Sequence, residues 1–93
     1  MANSEIIRKR MTFRGWVQGV GFRYRAYNAA QLYGAAGWVI NNYDGSVTME
    51  LQGTEEQIDN VILAIERGTY IRIDNMECRS MPVIPDERSF HIR

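Results

Sequence analysis

The 93-residue chain is long enough for one modest hydrophobic core and too short for two domains. Lys+Arg and Asp+Glu number 11 each, so no net field draws it to nucleic acid or to an anionic membrane. The single cysteine, Cys78, excludes an internal disulfide and a two-cysteine metal motif, and reads as a partly buried structural thiol.

An apolar share of 45% with 24% charged residues is that of an ordinary globular domain, and residues 1–93 are expected to form one. The first ten residues lack the apolar region of a secretion signal, and no later run reaches membrane-spanning length. A cytoplasmic protein is expected. Residues 1–9 read as a flexible lead-in, with Arg8-Lys9-Arg10 as a solvated charge run.

Met11–Val17 alternates, with Met11, Phe13 and Val17 on one face and Thr12, Arg14 and Trp16 on the other, which predicts a first strand. It breaks at two glycines in Gln18-Gly19-Val20-Gly21. From Phe22 to Tyr33, Phe22, Ala26, Ala29, Ala30 and Tyr33 recur at helical spacing, and Gly34 is placed to end the helix. Gly37–Asn42 reads as a second strand, and Asp44-Gly45 as a two-residue hairpin turn. Val47, Met49 and Leu51 then alternate with Ser46, Thr48, Glu50 and Gln52 in a half-buried third strand.

Thr54-Glu55-Glu56-Gln57 is a capping-box pattern, followed by the apolar stripe Ile58, Val61, Ile62 and Ile65 up to Gly68. Tyr70–Asp74 predicts a fourth strand. Met76–Glu87, with Pro82 and Pro85, reads as irregular, and Ser89–Arg93 as a terminal strand. The order β-α-β-β-α-β predicts an α+β, ferredoxin-like (split βαβ) fold: an antiparallel sheet of four or five strands with two helices on one face.

That topology makes strands one and two run in the same direction, so their C-terminal ends share one edge of the sheet. The Gln18–Arg23 loop, Asn41 and the Asp44-Gly45 turn converge there. Gly19 and Gly21 take positive φ cheaply and can turn successive N–H groups inward as an anion nest, or simply make a tight strand-to-helix turn. A cation in a first helical turn opposes the macrodipole, so Arg23 either reaches into solvent or completes an anion site with a fork for two phosphate oxygens. Asn41 can orient a water without taking its proton, or satisfy backbone groups at a strand end.

Other chemistries fare worse. There is no Walker A sequence and no third glycine of a dinucleotide fingerprint. His91 is the only histidine and sits near the C-terminus, and the carboxylates show no metal-ligand spacing. Val47–Gln52 contains no aromatic residue, which argues against an RNA-binding sheet.

Val17-Gln18-Gly19-Val20-Gly21-Phe22-Arg23, followed by Gly37-Trp38-Val39-Ile40-Asn41 and Asp44-Gly45-Ser46-Val47, resembles the acylphosphatase family. The resemblance runs from the first strand to the second helix. It implies that Arg23 binds phosphate, that the amides of Gln18, Gly19, Val20, Gly21, Phe22 and Arg23 cradle it, and that Asn41 positions the attacking water. It further implies hydrolysis of the carboxyl-phosphate bond of a small acyl phosphate, with no metal or cofactor, by a protein expected to be a monomer without nucleic-acid or membrane partners. Gly68-Thr69-Tyr70 replaces a Gly-Pro pair frequent in the family, and Cys78–Arg88 matches none of its patterns. A non-catalytic anion-binding or interaction module of the same fold is the alternative, since acylphosphatase-like domains also begin larger hydrogenase-maturation proteins. The absence of a cysteine-rich continuation favours a free-standing protein.

Overall fold

The computed structural model describes residues 5–93. Its elements are β1 (Ile7–Trp16), α1 (Phe22–Tyr33), β2 (Ala36–Asn41), β3 (Val47–Gly53), α2 (Glu55–Glu66), β4 (Arg72–Met81) and β5 (Phe90–Ile92). The strands form one sheet in the order β4-β1-β3-β2-β5. This is the ferredoxin-like arrangement with one amendment. The sheet is mixed rather than wholly antiparallel, because β5 pairs in parallel with β2 from Gly37↔Phe90 to Val39↔Ile92.

Strand alternation builds the core. Met11 and Phe13 of β1, Val39 of β2, and Val47, Met49 and Leu51 of β3 all point to one face. There they join Phe22, Ala26, Ala29 and Ala30 of α1 and Ile58, Val61 and Ile65 of α2 in a single cluster. Three of the four buried α1 residues are alanines, which lets that helix lie close to the sheet. Thr54 caps α2 as expected: its hydroxyl accepts from the Gln57 amide at 3.1 Å while the Gln57 side chain accepts from the Thr54 amide at 2.8 Å.

The opposite face departs from expectation. Arg8-Lys9-Arg10 lies inside β1 rather than in a solvated lead-in, and Arg8, Glu50 and Gln52 are buried, so β3 is covered on both faces. Arg8 Nε donates to Glu50 Oε1 at 2.5 Å, and Arg10 Nε donates to Glu50 Oε2 at 2.6 Å. The cover is the segment 82–88. Gln52 donates to the Ile84 carbonyl at 2.9 Å and accepts from the Ile84 amide at 2.8 Å, while Arg8 Nη1 reaches Glu87 at 2.7 Å. A charged run reads as solvent-facing unless its partners are known, and these partners lie 40 or more positions away.

Three further corrections concern local structure. The irregular stretch begins only after Met81, because β4 continues through Met76–Met81 along β1. Both faces of this edge strand are largely exposed, so its sequence carries no alternation to read. Cys78 is likewise exposed rather than partly buried, because an edge strand lies beyond the cover of the helices. The hairpin loop is longer than two residues. The Asn42 amide bonds the Ser46 carbonyl at 2.8 Å and the Gly45 amide the Asn42 carbonyl at 3.2 Å. Only Gly45 takes positive φ (93°), so the loop is Tyr43-Asp44-Gly45, a turn closed by a left-handed glycine.

Burial alone would push the Glu50 carboxyl upward, but the hydrogen bonds from Arg8 and Arg10 outweigh it and hold the group below its ordinary value. A depressed carboxyl contributes stability above its unfolded value and loses it as pH falls through the folded one. Glu50→Gln should therefore lower unfolding stability by about 3 kcal/mol at pH 7, by leaving the Arg8 charge undercompensated. The gap from wild type in urea unfolding should narrow on acidification below the ordinary glutamate range. A gap independent of pH would contradict the ionised network.

Candidate active site

The β1–α1 connection is anchored at both ends by buried apolar side chains, Val17 and Phe22, and the Phe22 ring tilts against Phe13 at 5.0 Å. Between them the chain has to reverse, and Gly19 (φ 74°) and Gly21 (φ 82°) both adopt the left-handed conformation. A Cβ at either position would meet nothing within 4 Å, so backbone conformation and not space demands glycine there.

Gly21 is the N-cap of α1 and no side chain caps that helix. The first helical bond runs from the Arg25 amide to the Gly21 carbonyl at 3.0 Å, which leaves the N–H groups before it without helical partners. The two helices contrast here. α2 begins with a complete capping box and two acids in its first turn, whereas α1 has neither cap nor acid and carries Arg23 instead. The N-terminus of α1 is open to an anion and that of α2 is closed.

A cavity of about 160 Å³ opens at this terminus, lined by Val17, Gly19, Gly21, Phe22, Arg23, Tyr24 and Asn41. Arg23 is half-buried, and its one hydrogen bond is a long 3.4 Å contact from Nη1 to the Arg93 main-chain oxygen. No Asp or Glu side chain among the described residues pairs with it. Asn41, the last residue of β2, is half-buried, and its Oδ1 is buried without a hydrogen-bond partner. Of the residues expected at the site, Gly19, Gly21, Phe22, Arg23 and Asn41 meet in this cavity. Gln18 and Val20 do not line it: Gln18 turns toward the hairpin and Val20 borders an adjoining hollow.

A sequence model of the acylphosphatase family matches residues 9–92. An acylphosphatase from Geobacillus thermodenitrificans is 43% identical over 79 residues, 84% of either chain. The crystal structure of acylphosphatase from Bacillus subtilis superposes with a TM-score of 0.85 at 28% identity, covering 94% of this chain and 98% of that one. The structure of full-length HypF, in a phosphate- and nucleotide-bound form, matches with a TM-score of 0.85 at 31% identity, over 98% of this chain but 12% of that one. The chain belongs to the acylphosphatase family.

In this family member the two halves of the cavity come from separate elements, and one side chain ties them together. Gln18 Nε2 donates to the carbonyls of Asn42 at 2.7 Å and Ser46 at 2.9 Å, joining the glycine loop to the base of the hairpin that follows Asn41. The hairpin is braced from within. Asn42 Nδ2 donates to Thr48 Oγ1 at 2.6 Å and to Ser46 Oγ at 3.0 Å, and Asp44 Oδ1 accepts from the Ser46 amide at 3.0 Å. The Ser46 hydroxyl first, then its amide and Arg14, hold the Asp44 carboxyl well below the usual carboxylate range. Sequence reasoning missed the Gln18 side chain, Asn42, Ser46 and Arg14. Asp44-Gly45-Ser46, with a side chain that bonds backbone two residues on, carried the only local signal among them.

Gln18→Leu removes both donors at nearly constant shape and leaves each carbonyl only its main-chain partner, so the loss of two hydrogen bonds should lower stability by about 1–3 kcal/mol. Because the hairpin side carries Asn41 while the loop side carries Arg23, hydrolysis of an acyl phosphate should lose kcat by about tenfold with little change in inhibition by phosphate. Gln18→Glu, which cannot donate, should reproduce the loss. A folded Gln18→Leu protein with unchanged kcat would remove the positioning role.

Proposed function

We propose that Arg23 and Asn41 are the catalytic residues of an acylphosphatase that cleaves acyl phosphates into carboxylate and inorganic phosphate. The observation that carries this reading is the meeting, in one cavity, of an uncapped helix N-terminus, an arginine without an acidic side-chain partner and an unsatisfied carboxamide oxygen. The phosphoryl group sits against the main-chain amides of Gln18–Arg23, with the Arg23 guanidinium across two of its oxygens. Turning about its Cβ–Cγ bond, Asn41 presents its unpartnered oxygen to a water.

The oxygen of that water attacks phosphorus while the P–O bond to the acyl group breaks in line with it. The carboxylate leaves with the bonding electron pair, and the water's extra proton passes to phosphate or solvent. With a leaving-group pKa of about 4, no general acid is required at pH 7. Positioning and stabilisation of charge on the phosphoryl oxygens supply the catalysis. The 93 residues act as one monomeric domain in the cytoplasm, on a small-molecule substrate. The match to a 12% portion of HypF supports the second reading, an acylphosphatase-like module within a larger assembly, but the relative matched over 84% of its own length favours the enzyme.

The test is hydrolysis of benzoyl phosphate in EDTA. Wild type should turn over without metal. Asn41→Ala should lose about 100-fold in kcat while phosphate still inhibits as in wild type, and Arg23→Gln should lose both turnover and phosphate inhibition. Asn41→Ala with wild-type kcat would remove Asn41 from the mechanism. Folded wild-type protein without turnover would leave the binding module.

A further inference from the structure

A second hollow of about 340 Å³ adjoins the anion cavity, bordered by Val20, Gly21, Arg25, Asn28, Thr69 and Tyr70. The two cavities share Gly21, so they adjoin at the N-cap of α1. No carboxylate lines the second hollow. Its one charged side chain is Arg25, which is held at its inner end: Nε donates to the Ala64 carbonyl of α2 at 2.5 Å. The side chain also passes over Gly68, where an added Cβ would lie 3.1 Å from Arg25 Cδ. The terminal nitrogens of this guanidinium pair with no group among the described residues. A planar donor fork, oriented from behind and free in front, faces solvent at the hollow.

The direction of the reaction points the same way. In-line displacement puts the leaving group opposite the attacking water. Asn41 approaches the loop from β2, which lies beyond β3 on one side of β1. The Gly68–Ile71 side of the second hollow leads into β4, on the other side of β1. An acyl group leaving away from Asn41 therefore heads toward the β4 side of β1, where Arg25 borders the hollow.

We propose that this hollow is the acyl-group subsite and that Arg25 selects acyl phosphates whose acyl group ends in an anion, such as the monoacyl phosphates of dicarboxylic acids. The proposal rests on the hydrolytic reading above. Asn28 and the Thr69 hydroxyl supply neutral donors beside the fork, and the exposed Tyr70 ring supplies an apolar wall for the connecting methylenes.

The experiment compares succinyl phosphate with butyryl phosphate, which have equal chain length but differ in the terminal carboxylate. Wild type should favour succinyl phosphate in kcat/KM by about fivefold, the scale of one exposed charge pair, and the preference should shrink as salt is raised. Arg25→Met should abolish the preference while leaving butyryl phosphate turnover near wild type, and Arg25→Lys should retain part of it. Equal kcat/KM for the two substrates in wild type, or an Arg25→Met variant that loses both equally, overturns the subsite and leaves Arg25 as a tether between helices. Failure of wild type to hydrolyse either compound overturns the hydrolytic reading itself.

Discussion

Two hydrogen bonds from one carboxamide hold the candidate site together. Gln18 spends both N–H donors on main-chain carbonyls of the hairpin, and no other side chain of the glycine loop reaches across. The loop brings the open helix terminus and Arg23, while the strand before the hairpin brings Asn41. A ferredoxin-like sheet carries β1 and β2 to the same edge, but it does not fix the distance between a loop and a hairpin tip. Gln18 fixes that distance, and Asp44, Ser46 and Asn42 stiffen the hairpin against which it pulls.

The rest of the molecule serves to keep that edge rigid while leaving it open. One face of the sheet is closed by α1 and α2 over an apolar core; the other is closed by charge, with Glu50 clamped between Arg8 and Arg10 beneath the strap at 82–88. Trp38 lies under two guanidinium groups, Arg10 at 5.7 Å and Arg93 at 4.8 Å, which extends the same network to β2. Polar groups are satisfied almost throughout these regions. The exceptions among buried side-chain atoms of the described residues are Arg8 Nη2 and Asn41 Oδ1, and only the second belongs to a cavity-lining residue. An unmet acceptor costs stability, and Asn41 lines the same cavity as Arg23.

Much of this was legible in the sequence, for definable reasons. α1 runs from Phe22 to Tyr33 as expected because glycines punctuate both ends of an apolar period. Met11, Phe13, Val47, Met49 and Leu51 are buried as alternation demands. Arg23 and Asn41 share one end of the sheet because topology carries the C-terminal ends of β1 and β2 there. What escaped was structure made by distant pairs. Arg8 reads as solvated until Glu50 and Glu87 are set beside it, β4 has no periodicity because neither face is fully buried, and Gln18 gives no local hint that its partners are Asn42 and Ser46. Periodicity reports burial, and it is silent where hydrogen bonds between remote residues decide the outcome.

The central claim is that an anion binds at the uncapped start of α1 and nowhere else of comparable affinity. Titration of isotope-labelled protein with inorganic phosphate, followed through its amide resonances, tests this most directly. The account predicts saturable shifts concentrated at Gly19, Val20, Gly21, Phe22 and Arg23, with Glu55, Glu56 and Gln57 at the capped start of α2 unmoved. Shifts centred instead on the sheet face around Arg10 and Arg79, or spread evenly over the surface arginines, would contradict it.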